Sequence, residues 1–139
     1  MEPTGGSVEE FLEAVPGEVR RRDARTMLDI MQRVTGEEPR MWGTIIGFGE
    51  YHYKYDSGRE GRAGAAGFAP RKAALTVYLP EGVAQHRDAL SQLGPHTSSL
   101  VCLYLKDLTK VDLGVLEQVI TDSYRTVSAG GFGRPDRGA

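Results

Sequence analysis

The sequence predicts one α+β domain in two layers, with a mainly antiparallel sheet of three to five short strands and helices packed on one face. Apolar residues recur at helical spacing near both ends of the chain. Between these segments lie short stretches in which aliphatic residues alternate with other residues, as in half-buried strands. The length of 139 residues, with 40% hydrophobic and 26% charged residues, suits a single domain with an ordinary core.

Three helices follow from local signals. Ser7 and Glu10 have the spacing of a capping box, which marks the start of a first helix that Pro16-Gly17 ends. A second helix is predicted from about Glu18 to Val34, with an apolar stripe on one side and arginines on the other. Asp112 is the predicted cap of the last helix.

The first strand region changes its alternation partway along. It runs from Met41 to Gly49 and continues into a tyrosine strand, Tyr51 to Tyr55. Apolar residues occupy even positions before Gly49 and odd positions after it. Because a regular strand cannot exchange its faces, we predict a bulge or tight turn at Gly47 and Gly49.

The second half of the chain alternates between strands and helices. Residues 56–70 are predicted to form a Gly-rich, partly basic loop. Strands are predicted over 74–79 and 100–106, with a helix over 83–93 between them. The aliphatic side of each strand is expected to face the helices. The predicted domain covers residues 7–127, and residues 1–6 and 128–139 are expected to be flexible tails.

The net charge, the apolar content and the cysteine content predict which partners and which cellular location the protein has. The net charge of −2 argues against nucleic-acid binding, which normally shows a basic excess. No segment is apolar enough to predict a membrane span. The single Cys102 and the polar start of the chain favour a reducing, cytoplasmic location.

Several motifs resemble those of the DUF1801 family, also called YdhG-like, in matching order from about Val8 to Ser123. The resemblance implies a compact α+β fold with helices on an antiparallel sheet. Most members of this family have no known activity, and some relatives are described as frataxin-like iron chaperones that use acidic surface residues. The motifs are Met41-Trp42-Gly43, Ile46-Gly47-Phe48-Gly49, Tyr51-His52-Tyr53-Lys54-Tyr55, Ser57-Gly58-Arg59-Glu60-Gly61, Phe68-Ala69-Pro70-Arg71-Lys72 and Cys102-Leu103-Tyr104.

Tyrosines and basic residues form the candidate ligand site. Tyrosine offers a rigid surface with a polar tip, and an arginine fork binds carboxylate or phosphate. A tyrosine-lined sheet face with a basic rim therefore predicts a small anionic or aromatic ligand. The alternative is that this face packs under the loop over residues 56–70 or forms a homodimer with a second subunit. The candidate ligand-binding residues are Trp42, Tyr51, His52, Tyr53, Tyr55, Arg59, Arg71, Lys72, Tyr78 and Tyr104.

The sequence contains no recognisable catalytic or transition-metal motif. His86 and His96 flank a helix without a second ligand at metal-binding spacing, and Cys102 has the place of a small buried strand residue. We therefore predict a non-enzymatic binding or interaction module with no cofactor. Acidic residues of the first helix, such as Glu9, Glu10 and Glu13, leave a frataxin-like iron-binding protein as the alternative.

Overall fold

The computed structural model describes residues 3–54 and 57–130, and within them it confirms the predicted two-layer α+β fold. Four α-helices pack on one face of the main sheet. The helices are α1 Val8–Glu13, α2 Glu18–Thr35, α3 Arg87–Leu90 and α4 Leu113–Ala129. The strands are β1 Pro39–Trp42, β2 Ile45–Phe48, β3 Tyr51–Lys54, β4 Glu60–Ala63, β5 Ala66–Pro70, β6 Leu75–Tyr78, β7 Thr97–Ser98 and β8 Cys102–Leu105.

The main sheet has six antiparallel strands in the order β1-β2-β5-β6-β8-β7, where three to five were expected. Strands β3 and β4 form a separate two-stranded sheet. One row of cross-strand partners belongs to the core beneath the helices over the first five strands of the main sheet. Complete burial of each such side chain stabilises the fold by roughly 1.5–3 kcal/mol. The row is Met41, Ile46, Phe68, Val77 and Leu103.

The prediction of a loop over residues 56–70 is wrong for most of that segment. Residues Glu60–Ala63 form β4, and Ala66–Pro70 form β5 in the interior of the main sheet. Glycine and alanine have low strand propensity, so the local sequence gives no strand signal. The small residues are used for close packing instead, since Gly67 lies opposite Gly47 and a side chain there would meet Ile45 at 3.3 Å.

The predicted change of direction in the tyrosine region is confirmed at Gly49. This residue has φ 65°, a conformation that favours glycine, and the chain passes there from the main sheet into the second sheet. Gly47, by contrast, lies inside β2.

The helix caps are confirmed, and one predicted helix is shorter than expected. The Ser7 hydroxyl accepts a hydrogen bond from the Glu10 amide at 3.1 Å, and the Asp112 carboxylate accepts one from the Val115 amide at 3.1 Å. Residues 83–93 form a 3-10 turn, Val83–His86, followed by the short helix α3. The helix α4 extends to Ala129, past the predicted domain boundary. Thr4 hydrogen-bonds to Met41 at the edge of β1.

A polar clamp joins α2 to the segment after β8. The Asp23 carboxylate is buried and accepts the Leu108 amide hydrogen at 2.9 Å. Arg22 donates to Asp23 at 3.0 Å and to Asp107 at 2.8 Å. The Thr109 hydroxyl, then the Thr109 amide, and to a lesser degree Arg22, hold the pKa of Asp107 below its ordinary value.

We expect Asp107→Asn to lower stability at neutral pH and to have little effect in strong acid. A carboxyl whose pKa is lowered by folding stabilises the folded state above its unfolded pKa, and this contribution is lost as the pH falls through the folded pKa. Urea unfolding of both proteins from pH 7 down to pH 3 or below measures the difference. Asp29→Asn, at an exposed position of α2, is the control. A stability difference between wild type and Asp107→Asn that stays constant over this range would contradict the assignment.

Candidate ligand-binding site

The face of the main sheet opposite the helices, here called the outward face, has positive rather than negative side chains. One row of cross-strand partners on this face is Arg40, Gly47, Gly67, Tyr78 and Cys102. In the neighbouring row, Trp42 of β1 pairs with Ile45 of β2. The same row continues with Ala69 of β5, Thr76 of β6 and Tyr104 of β8. These strand positions carry one arginine and no carboxylate, although the whole chain has a net charge of −2.

Arg71 is held over this face by two hydroxyl groups. It follows β5, and its guanidinium donates to the Thr44 hydroxyl at 2.7 Å and to the Tyr78 hydroxyl at 3.4 Å. Its backbone is also fixed, because its amide donates to the carbonyl of Ala74 at 3.1 Å and its carbonyl accepts from Arg20 at 2.9 Å. The exposed guanidinium is therefore positioned before any ligand arrives.

The Arg71–Tyr78 contact explains a local burial on the outward face. Arg71 and Tyr78 lie at opposite ends of the β5–β6 pair, so their side chains must meet across the middle of it. The strand positions there are Ala69 and Thr76, which are 0% and 5% exposed although they lie on the side of the sheet away from the described helices. The two side chains thus form a small polar cover above the sheet.

Three side chains that can donate hydrogen bonds meet at this point, which we call the Arg71 site (Arg71, Thr44 and Tyr78). The hydroxyl oxygens of Thr44 and Tyr78 accept hydrogen bonds from Arg71, so each hydroxyl still has its own hydrogen to donate. Neither hydroxyl donates to an acceptor in the part of the chain that the structure describes. Arg71 forms no ion pair with any described carboxylate. A guanidinium with two hydroxyl donors is complementary to an oxyanion.

The structure corrects the expectation of a single tyrosine face. Tyr78 and Tyr104 lie on the outward face, half-buried. Tyr51 is only 7% exposed and packs with Ala65 and Val127, so it contacts the end of α4. Tyr53 packs against the same cluster, with its ring centroid 5.9 Å from that of Tyr51. The turn at Gly49 causes this separation, because it carries β3 out of the main sheet.

The other candidate residues lie apart from the Arg71 site, except for one neighbour. Lys72 is exposed in the same β5–β6 turn as Arg71. His52 is exposed on β3 opposite Arg62, and Arg59 is exposed just before β4. Tyr55 lies outside the described residues. Of the ten candidates, only Arg71 and Tyr78 are brought into direct contact at this site, and Thr44 joins them from the β1–β2 turn.

Trp42 is a packing residue of the outward face. Only 1% of it is exposed, and its indole lies across Gly47. The Arg40 guanidinium carbon lies 5.4 Å from the ring centroid, within the range of a cation–π contact. The indole nitrogen is buried without a hydrogen-bond partner among residues 3–54 and 57–130. Packing against glycine therefore determines the position of this side chain.

A buried polar network lies on the helix side of the domain. The Glu81 carboxylate contacts His86 Nε2 at 2.7 Å and accepts from the Ser123 hydroxyl at 2.7 Å, and all three residues are buried. The carboxylate lies between the serine and the histidine. In a hydrolase triad the histidine must contact the serine in order to remove its proton. This arrangement instead joins α4 to the loop after β6.

One acidic residue of α1 is engaged in an exposed surface ion pair. Glu9 forms an ion pair with Arg25 at 2.8 Å, and the Arg25 hydrogen bond lowers the pKa of Glu9. The described residues contain no group of three or more His, Cys, Asp or Glu side chains arranged to hold a metal ion. The geometry therefore offers no specific observation in favour of an iron site.

Comparison of the chain with protein-family models, with curated proteins and with solved structures gives no match. Among the described helices, none combines the length and the apolar character needed to cross a bilayer. Function must accordingly be argued from the residues and their geometry.

Sequence reasoning missed two features of these sites. Thr44 carries no signal of its own, because a threonine in a short turn is commonplace. The Glu81–Ser123 contact joins residues 42 positions apart, and no local pattern pairs them. Only the fold reveals either contact.

Proposed function

We propose that this protein is a non-enzymatic binding module that holds a small oxyanion, a carboxylate or a phosphate group, at the Arg71 site. The observation that carries the proposal is an exposed guanidinium on the outward face that is held by two hydroxyl groups and forms no ion pair with a carboxylate of the described residues. The Arg71–Tyr78 distance of 3.4 Å is long for a hydrogen bond. We therefore expect Arg71 to form a stronger hydrogen bond with a bound anion than with the Tyr78 hydroxyl.

The electrostatics of the outward face support the same proposal. Lys72 follows Arg71 in the β5–β6 turn and Arg40 lies on the outward side of β1, so both add positive charge, and the outward strand positions contribute no negative charge. An approaching anion is therefore attracted to this face even though the whole chain is slightly acidic.

The two outward tyrosines favour a ligand with a flat portion. Tyr78 and Tyr104 are on diagonal positions of adjacent strands, and both are half-buried. Aromatic rings at this spacing can contact one planar group. We therefore propose an aromatic or otherwise planar anion as the preferred ligand.

We also propose, on its motifs, that the chain is a YdhG-like protein. Arg71 lies within the motif Phe68-Ala69-Pro70-Arg71-Lys72, which carries part of that resemblance. The Arg71 site does not depend on this assignment, because it is argued from hydrogen bonds alone.

Titration with sodium benzoate and with inorganic phosphate, followed by amide chemical shifts of the labelled protein, tests the proposed function. We expect shifts around Thr44, Arg71 and Tyr78, and a loss of affinity of about tenfold in Arg71→Gln, since one charge-assisted interaction contributes about 1.5–3 kcal/mol. The relative affinities for benzoate and phosphate show which oxyanion is preferred.

Arg87→Gln is the matched control, because Arg87 is an exposed arginine elsewhere on the domain and outside the Arg71 site. It should bind the probe as the wild type does. Equal affinities for wild type and Arg71→Gln, or the absence of shifts on the outward face, would refute the proposal. Light scattering of the same samples separates ligand binding from self-association across this face.

A further inference from the structure

A groove open to solvent lies between the α3 region and the β7–β8 edge of the main sheet, away from the Arg71 site. Its volume is about 540 Å³, within the usual range for small-molecule sites. Val83, Leu90 and Leu100 supply its apolar side, and Arg87, His96 and Ser98 supply its polar side. We call this the Leu100 groove. It shares no residue with the Arg71 site.

Leu100 is held at this groove with its side chain in contact with solvent. Leu100 is 54% exposed, which is high for leucine. The backbone is not free to turn it inward, because the Leu100 carbonyl accepts from the Val83 amide at 3.0 Å and the Ser99 amide donates to the Cys102 carbonyl at 2.9 Å. Burial of Leu100 therefore requires a bound molecule rather than a local rearrangement.

The polar side of the groove favours a negative charge. Arg87 forms no ion pair with any carboxylate of the described chain, and no acidic residue lines the groove. His96 Nδ1 lies 2.7 Å from the Gly94 carbonyl, which can only accept, so Nδ1 carries a hydrogen and Nε2 remains for a further partner. The groove thus combines an apolar floor with cationic and hydroxyl groups.

We propose that the Leu100 groove binds a small amphipathic carboxylate, meaning one flexible apolar chain that ends in a carboxylate group. The apolar chain covers Leu100 and Leu90, and the carboxylate pairs with the Arg87 guanidinium. An extended peptide is a poorer occupant, because β7 contains only two residues and offers too short an edge for strand addition.

Titration with sodium octanoate tests this proposal, with octylamine as a ligand of the same chain length and opposite charge. We expect octanoate to shift the amide signals of Val83, Leu90 and Leu100, and octylamine to bind at least tenfold more weakly. Arg87→Gln should weaken octanoate binding by about tenfold. Octanol is the uncharged ligand of the same chain length, and Leu100→Ser should weaken the binding of octanoate and octanol alike.

Arg71→Gln is the control for this groove, as Arg87→Gln is for the outward face. If Arg71→Gln weakens octanoate binding and Arg87→Gln does not, the carboxylate lies on the outward face and the groove proposal fails. Equal binding of octanoate and octylamine would also overturn it. Because the two sites share no residue, a failure of either experiment leaves the other proposal standing.

Discussion

Glu81→Ala is expected to destabilise the folded protein by about 3–5 kcal/mol, a large share of the total stability of a domain. Glu81 is 3% exposed and is the common partner of His86 and Ser123. Its removal leaves both of these buried groups without the hydrogen bond that offsets their desolvation. It also disconnects α4 from the loop after β6. Urea unfolding followed by circular dichroism measures the change in free energy.

Glu117→Ala is the matched control for this prediction. This variant also removes a short contact, the ion pair between Glu117 and Arg33 at 2.7 Å. Here, however, the Glu117 side chain is 38% exposed and the Arg33 side chain 61% exposed. Water replaces that ion pair, so we expect a cost of less than about 1 kcal/mol. Glu81→Gln, which keeps the shape and one acceptor oxygen, should fall between the two. If Glu81→Ala costs no more than Glu117→Ala, the buried network does not stabilise the fold.

Gly47→Ala is expected to destabilise the protein by about 1–3 kcal/mol, through overpacking rather than backbone strain. A Cβ atom at Gly47 would lie 2.6 Å from Trp42 Cδ1 and 2.7 Å from Trp42 Nε1. The indole is fixed in a position where only 1% of the residue is exposed, so it cannot move aside without disturbing its neighbours. Urea unfolding followed by circular dichroism measures the cost, because this signal is kept in variants that lack Trp42, the single tryptophan of the chain.

Two further variants test whether the cost of Gly47→Ala comes from its contact with the Trp42 indole. Gly67→Ala places a Cβ opposite Gly47 in the same sheet, but its nearest contacts are 3.3 Å, to Ile45 Cγ2 and the Ile46 carbonyl, so it should cost less. In a Trp42→Phe background the cost of Gly47→Ala should shrink, since the smaller ring leaves room for the methyl group. An unchanged cost in that background would contradict the steric explanation.

The features that the sequence predicts correctly are those controlled by neighbouring residues. Ser7 and Asp112 cap helices because a side-chain oxygen and an amide three residues later are adjacent in any helix start. The turn at Gly49 follows from the change of alternation, which is also a local property. Arg71 and Tyr78, which the structure brings into contact, were both among the candidate residues.

The features that the sequence did not predict depend on contacts between distant segments. Strand β5 has almost no local strand signal and is recruited by its partners β2 and β6. Thr44 joins Arg71 across 27 positions, and Ser123 joins Glu81 across 42. Such contacts depend on how the strands are ordered in the sheet, and local spacing does not contain that order.

The sequence by itself determined the α+β class, the helix caps, the aliphatic faces of β6 and β8, and the turn that ends β2. Each of these follows from side-chain periodicity or from backbone preferences of a few consecutive residues. The tertiary structure alone decided which tyrosines share a face. It placed Tyr51 and Tyr53 against α4 and left Tyr78 and Tyr104 on the outward face, because a turn at one glycine moves the whole following strand into another sheet.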